Sequence, residues 1–392
     1  MIAGAKKRTT PLPFAELDID EDDVAAVAEV LRSGWVMTGP KVCEFETEFA
    51  RRLGAKYAVA TISGTAALHL AFAAIGLKPG DEVIVPTMTF TATAEAVHYC
   101  GASVALVDVM ADTLCLDPVA AARAITPRTK AIVPVHLGGQ IADMEAIIDL
   151  ATQHGLIVID DAAHASPPPP SAPPAGKLGH LAAYSFRATK PITTVDGGMV
   201  ITNDGVWAAQ IRKMAHFGVD KSSWERHRGA QSWLYDVVSP GFKYGMPDTA
   251  AAMGLAQLRK ADRMWERRQA IASSYTTAFR DAPELQVPYA SPEVAHSWYL
   301  YILRLKAERL SIDRDRFIEE LKRRDITAGV HFIPLHRLTR HREMYGLDDA
   351  HFPVATHEFG RMLSLPIFSK MSDADIEDVV GAVLDVVHTF RV

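Results

Sequence analysis

The stretch AIVPVHLGGQIADMEAIIDLATQHGLIVIDDAAHA, residues 131–165, decides how the chain folds. It opens on an apolar run, Ala131 to Val135, and a second run, Leu156 to Ile159, comes near its end. Between them Met144 to His154 has the pattern of a helix. Short apolar runs without polar alternation are strands covered on both faces, and a helix between two of them is the crossover of a parallel sheet. Working outward, Val83 to Val85, Val104 to Val107, Ala182 to Phe186 and Met199 to Thr202 read as further strands. Gly64 to Ile75, Thr91 to Tyr99 and Pro118 to Ala124 read as further helices. The alternation from Tyr57 to about Asn203 predicts an α/β layer whose mostly parallel central sheet is flanked by helices. Sites in such sheets lie at the carboxyl ends of the strands.

The last third has a different pattern. One long helical stretch runs from about Thr249 to Arg280, followed by a strand, Trp298 to Leu305, and a helix around Asp315 to Arg324. A final helix spans about Asp373 to Val387, with Asp313 and Ser372 as the starts of these last two. This predicts a smaller C-terminal α+β domain, residues 251–392, after a large domain, residues 1–250, that includes the N-terminal segment. With 392 residues, 48% apolar and 22% charged, the chain is an ordinary globular one of two or three domains. Its 41 basic and 47 acidic residues leave a net charge of −6, which offers no electrostatic footprint for nucleic acid. No apolar run approaches the roughly 20 residues of a membrane helix, and Lys6, Lys7 and Arg8 precede no secretory core. Three cysteines, Cys43, Cys100 and Cys115, lack zinc or redox spacing and fit a reducing cytoplasm.

Residues 166–174, SPPPPSAPP, hold six of the 23 prolines and predict an exposed, stiff loop. Dinucleotide-binding, P-loop, serine-hydrolase and zinc-protease motifs are absent. His331 and His336, five apart, make a poor metal pair, and no metal site is expected. What remains is a set of polar residues at strand ends. Ile62-Ser63-Gly64-Thr65 opens a helix: its N–H groups could cradle a phosphate, or Ser63 or Thr65 could simply cap it. Asp160 and Asp161 end an apolar strand, where a buried acid needs an electropositive partner, either a basic side chain or a protonated ring nitrogen. Lys190 follows the strand ending Ser185-Phe186, ahead of Asp196-Gly197-Gly198. Such a lysine is either solvated or, if desolvated, a nucleophile able to form a Schiff base. Phosphate cradle, acid and lysine together are the requirements of pyridoxal 5′-phosphate.

In these segments the chain resembles the DegT/StrS-type sugar aminotransferases, fold type I enzymes dependent on pyridoxal phosphate. The resemblance rests on SGTAALHLA (63–71), GDEVIVPTMTFTATA (80–94), DDAAHA (160–165), SFRATK (185–190), DGGMVITND (196–204) and PGFKYGMPDTAAAMGLAQL (240–258). SGWVMTGPK (33–41) and GVHFIPLH (329–336) are most similar to the branch that aminates UDP-4-keto sugars, such as the UDP-4-amino-4-deoxy-L-arabinose aminotransferase. The resemblance implies that Lys190 carries the cofactor, Asp161 pairs with its pyridine nitrogen and His164 lies near its 3-oxygen. It implies phosphate contacts from Gly64, Thr65 and Ser185, and a ring stack from Phe90. Lys243 would reach the phosphate from the other subunit of a homodimer, and Thr38, Arg187 and His331 would meet the sugar nucleotide. Arg337 and Arg340 are further candidates for an anionic group, or solvated surface residues. The implied reaction is ping-pong transfer from L-glutamate, giving 2-oxoglutarate and pyridoxamine 5′-phosphate, to a nucleotide-linked keto sugar. Differences from the family pattern are Asp196 for Glu, Pro191 for Asn, and the proline run in place of a polar segment. A sugar dehydratase, which has histidine in place of the lysine, and a non-catalytic regulatory homologue are the rival readings.

Overall fold

A computed structural model describes residues 8, 10–165, 168–169, 179–228 and 233–392. The chain starts with two helices, α1 (Glu21–Ser33) and α2 (Pro40–Leu53), then enters the alternating region. There β1 (Tyr57–Thr61), α3 (Gly64–Ala74), β2 (Glu82–Pro86), α4 (Ala92–Tyr99), β3 (Ser103–Val107), α5 (Pro118–Ala124) and β4 (Thr129–Ile132) follow in turn. The region ends with α6 (Met144–His154), β5 (Ile157–Asp161), β6 (Leu181–Ser185) and β7 (Gly198–Thr202). Each strand expected in this region is present within a residue or two, except that β4 stops early. Beyond Ile132 the Val133 N–H still donates to the Ile84 carbonyl at 2.9 Å, but Pro134 has no N–H to give the ladder, and the edge continues toward β5 only as a bridge from Val135 to Asp161.

The seven strands lie in the order β1-β7-β6-β5-β4-β2-β3. Only β7 runs against its neighbours; β6, β5, β4, β2 and β3 are parallel. Register then fixes the site. Gly198 at the start of β7 sits opposite both Thr61 of β1 and Ser185 of β6, and Asp161 of β5 is level with Ala183. The ends that carry Ser63, Asp161 and Ser185 are therefore side by side. Helix α3 is apolar nearly all round and buried along its length, as befits a helix sealed against the sheet.

Beyond the sheet come α7 (Gly205–Met214), α8 (Ser223–Arg228), α9 (Asp248–Arg259) and α10 (Ala261–Phe279). The expected single long helix is thus two. Lys260 leaves helical backbone at φ −103°, ψ 5°, while its ammonium is held by Asp20 at 2.8 Å and Asp23 at 2.5 Å, at the start of α1. The C-terminal unit adds β8 (Leu285–Gln286), β9 (Tyr301–Leu305), α11 (Arg314–Arg323), α12 (Thr339–Tyr345), α13 (Pro353–Arg361), β10 (Met362–Leu365) and α14 (Asp373–Phe390). Its antiparallel sheet has the order β10-β9-β8. Asp313 and Ser372 cap α11 and α14 as their sequence positions predict. Strand β9 joins the two cores by its pleat: Tyr301, Leu303 and Leu305 pack with α10, α11 and α14, while Ile302 packs with residues of α5 and α6. The N-terminal Leu12 pairs with Ile326 and packs in the C-terminal core.

Of the proline run, only Pro168 and Pro169 are among the described residues; the former is half-buried and the latter buried, so these two are not the exposed loop that composition predicts. The rest of 166–174 lies outside the described residues. Among those described, no helix is long and apolar enough to cross a membrane, and no cluster of three His, Cys, Asp or Glu could hold a metal ion.

Candidate active site

A cavity of about 310 Å³ opens where β1, β5 and β6 end, closed on its far side by residues 299 and 331–332 of the C-terminal unit. Ser63 caps α3, accepting from the Ala66 N–H at 3.1 Å. This settles which hydroxyl is the cap, and leaves the Gly64 and Thr65 N–H groups without intrahelical acceptors at the cavity wall. Glycine is required at 64: a Cβ there would stand 2.8 Å from the Ser185 Cβ. Gly198 is equally confined, because its Cβ would lie 2.4 Å from the Ser63 carbonyl oxygen. Two strands and a helix N-terminus thus approach closely enough to place Ser185 beside the positive end of α3.

The two acids of β5 part company because successive strand residues face opposite ways. Asp160 turns from the cavity and accepts from the Gly179 N–H at 2.8 Å, with the His136 ring 3.9 Å away. Asp161 lines the cavity; its Oδ2 accepts from the Thr93 hydroxyl at 2.7 Å and its Oδ1 from the Ala163 N–H at 3.1 Å. His164 is buried with its Nδ1 accepting from the Gly138 N–H at 3.1 Å, so the neutral ring carries its proton on Nε2. Burial, then the charge of Lys190 and the neighbouring His331 and His136, holds His164 well below the ordinary histidine range.

Lys190 occupies the loop between β6 and β7, its backbone N–H donating to the Arg187 carbonyl at 2.8 Å. Its Nζ is 4.3 Å from the centre of the Tyr299 ring. Burial brings the amine down to about 7; Asp161 opposes this and Arg187 adds to it. A lysine that loses its proton near neutrality is a usable nucleophile and base. Arg187 stands exposed at the mouth, and no carboxylate pairs with it among the described residues.

The chain as a whole is similar to known proteins. The model of the DegT/DnrJ/EryC1/StrS aminotransferase family matches residues 17–384. The chain belongs to this family. It is 44% identical over 383 residues to the spore coat polysaccharide biosynthesis protein SpsC of Bacillus subtilis, covering 97% of this chain and 98% of that one. Among solved structures it resembles the putative sugar aminotransferase Spr1654 from Streptococcus pneumoniae in its PMP form, with TM-score 0.89, 30% identity and coverage of 96% and 99%. Spr1654 in its PLP form gives TM-score 0.88 at 30% identity, covering 97% of this chain and 99% of that one. Helicobacter pylori PseC, an aminotransferase involved in the biosynthesis of pseudoaminic acid, gives TM-score 0.88 at 25% identity, with coverage of 97% and 100%. The chain is a fold type I sugar aminotransferase, and its cofactor is pyridoxal 5′-phosphate.

The residues of the aminotransferase fit that cofactor. The N-terminus of α3 with Ser185 suits the phosphate, Asp161 suits a protonated pyridine nitrogen, and Lys190 suits the aldehyde. Gly64, Thr65, Phe90, Asp161, His164, Ser185, Arg187, Lys190 and His331 all line the one cavity. His331 is stacked on Phe14 at 4.9 Å and pairs through Nδ1 with the Ser364 hydroxyl at 3.0 Å; burial, with Lys190 and Arg187, lowers it to about 4. Thr38 and Lys243 do not join the lining. The Thr38 hydroxyl donates to the Met246 carbonyl at 2.7 Å, and Lys243 is exposed, its Nζ 5.8 Å from the Phe217 ring centre. Arg337 and Arg340 are engaged elsewhere, by Asp349 at 2.6 Å and Glu95 at 3.2 Å. Sequence reasoning missed Thr93, Tyr299, Phe14 and Phe332. Thr93 and Phe332 lie inside segments the sequence did single out, TFTATA and GVHFIPLH; for Tyr299 and Phe14 no local signal exists.

Proposed function

We propose that this aminotransferase moves an amino group from L-glutamate to a nucleotide-linked keto sugar, with UDP-4-keto sugars first in line. The observation that carries the proposal is Lys190: a desolvated amine, near neutral pH in its titration, in one cavity with Asp161 and the start of α3. Bound pyridoxal phosphate supplies an aldehyde that condenses with amines and a ring that accepts electrons from the adjacent carbon. With the cofactor bound, Lys190 would take the proton from the α-carbon of the amino donor and return it to the carbon that adjoins the ring, and in the second half of a ping-pong cycle would move protons for the sugar in reverse order. Asp161 would hold the proton on the ring nitrogen, and the Gly64 and Thr65 N–H groups with the Ser185 hydroxyl would hold the phosphate. Phe90 would cover a ring face, and His164 would offer its Nε2–H to the 3-oxygen.

Arg187, unpaired at the mouth, supports an anionic group there, either the donor carboxylate or a diphosphate. His331 and Thr38 are assigned to the sugar nucleotide, Thr38 in a rearranged or partner-completed site. Relatives named for spore coat polysaccharide and pseudoaminic acid biosynthesis support a sugar acceptor. The exposed Lys243 is assigned to the phosphate of a second subunit, which makes a homodimer the working unit. Three free thiols, with Cys115 pushed up to about 12 by burial, support a cytoplasmic setting. The test is to convert the enzyme to its pyridoxamine form with 15N-glutamate and offer UDP-, GDP- and dTDP-linked keto sugars in turn. A labelled amino sugar from one of them is the expected result, and no turnover with any would overturn the reading.

A further inference from the structure

The cavity-facing carboxylate is held by more than its own strand. Thr93, on α4, is fully buried, and its hydroxyl has three oxygen neighbours. These are Asp161 Oδ2 at 2.7 Å, the Thr89 hydroxyl at 2.8 Å and the Phe90 carbonyl at 3.1 Å. A hydroxyl has a single proton to give. The nearest acceptor is also the carboxylate, and a charge-assisted bond of this kind is about twice as strong as a neutral one. The Thr93 proton therefore belongs to Asp161. Thr89, itself buried and lining the cavity, is then free to donate to the Thr93 oxygen, so two hydroxyls form a chain that ends on the carboxylate.

We infer that Thr93 is a positioning residue for Asp161, with Thr89 behind it, and that the pair keeps the cofactor's ring nitrogen protonated. The inference rests on the proposed contact between Asp161 and that nitrogen. Two effects follow from the geometry. The bond from Thr93 and that from the Ala163 N–H, one to each oxygen, fix the plane of the carboxylate and leave lone pairs directed at the cavity. A donor to a carboxylate also stabilises its charge, which weakens it as a base toward any third partner. In an N–H···O contact with a pyridinium, the proton then stays on nitrogen, where it makes the ring an electron acceptor. Valine at 93 keeps the shape and removes the hydroxyl; serine keeps the hydroxyl and removes a methyl.

The experiment uses the full-length enzyme loaded with pyridoxal phosphate labelled with 15N in the ring, whose nitrogen chemical shift reports protonation directly. Wild type and Thr93→Ser are expected to show the protonated shift. Thr93→Val is expected to move toward the neutral-pyridine value, with kcat lower by about 10- to 100-fold and the glutamate KM within about threefold. A wild-type shift in Thr93→Val, or a Thr93→Ser protein that behaves like it, overturns the inference. Should Thr93→Val not fold, Thr89→Val removes the donor behind Thr93 and must move the shift the same way by less; an unmoved shift there is equally fatal. Asp161→Ala separates the two levels. If its nitrogen shift matches wild type, the Asp161 reading itself fails; if it moves while Thr93→Val does not, only the role of Thr93 fails.

Discussion

Lys190 has its amine lowered to about 7 chiefly by burial, with Arg187 acting in the same direction and Asp161 against it. A base must be neutral to act, so kcat should fall on the acid side with an apparent pKa near that value, once chemistry limits the rate. Removing the Arg187 charge takes away a cation that disfavours the ammonium form. The pKa of Lys190 then rises, and the acid limb of the kcat profile moves to higher pH in Arg187→Met but stays in place in Arg187→Lys. A pH–rate profile in which both variants coincide with wild type would show that Arg187 does not act on the lysine. Lys190, Asp161 and the 63–65 turn were legible in the sequence because each ends its strand or follows it within a few residues. Tyr299, 4.3 Å from the Lys190 ammonium, was not, since strand, cavity and C-terminal unit must all be assembled before residue 299 meets residue 190. The same holds for the parting of Asp160 from Asp161: both acids could be read as needing partners, but only the pleat of β5 shows which one faces the cavity.

Among the elements, local signals placed α3 to α6, α11 and α14 within a few residues, and long-range ones escaped. Pro118 and Met144 open α5 and α6 where the pattern puts them, each behind an aspartate that caps it. Helix α2 has no such cap of its own, because its N-cap residue is Gly39. Its first N–H groups are taken up by Asp248 at the start of α9, which accepts from Gly39 at 2.8 Å, Val42 at 3.0 Å and Lys41 at 3.2 Å across more than 200 residues of chain. Burial outweighs these donors and raises the Asp248 carboxyl above its ordinary value, so the group keeps its place at a cost in desolvation. Asp248→Ala would strand three N–H groups at once, and a loss of about 2–4 kcal/mol is expected from urea unfolding. A loss below about 0.5 kcal/mol, the size of an ordinary surface change, would mean that water caps the helix as well as Asp248 does. The break at Lys260 belongs to the same class. Nothing in its own sequence interrupts the helical pattern; the interruption comes with the pull of Asp20 and Asp23 from α1.

At the scale of the whole molecule the residue that matters is Lys243. It is exposed and outside the cavity of its own chain, beside the exposed Phe217, and Trp233, Tyr235, Val237 and Val238 in the segment before it are exposed too. Contiguous exposed apolar surface marks an interface, and in a two-fold dimer the same patch serves both copies. If Lys243 completes a partner's phosphate site, two inactive proteins should rescue one another. Consider Lys190→Ala mixed with Lys243→Ala, after reversible dissociation and reassembly. In a mixed dimer one site receives both defects and the other receives neither: its Lys190 comes from the Lys243→Ala chain and its Lys243 from the Lys190→Ala chain. With random pairing about half the dimers are mixed, and half of their sites are intact, so activity should return to about a quarter of wild type. If Lys243 served its own chain instead, every site in the mixture would lack one lysine or the other, and activity would stay at the level set by the Lys243→Ala sites alone. The two outcomes differ in kind, and mixing the purified variants at equal concentration distinguishes them without any assumption about which sugar is the substrate.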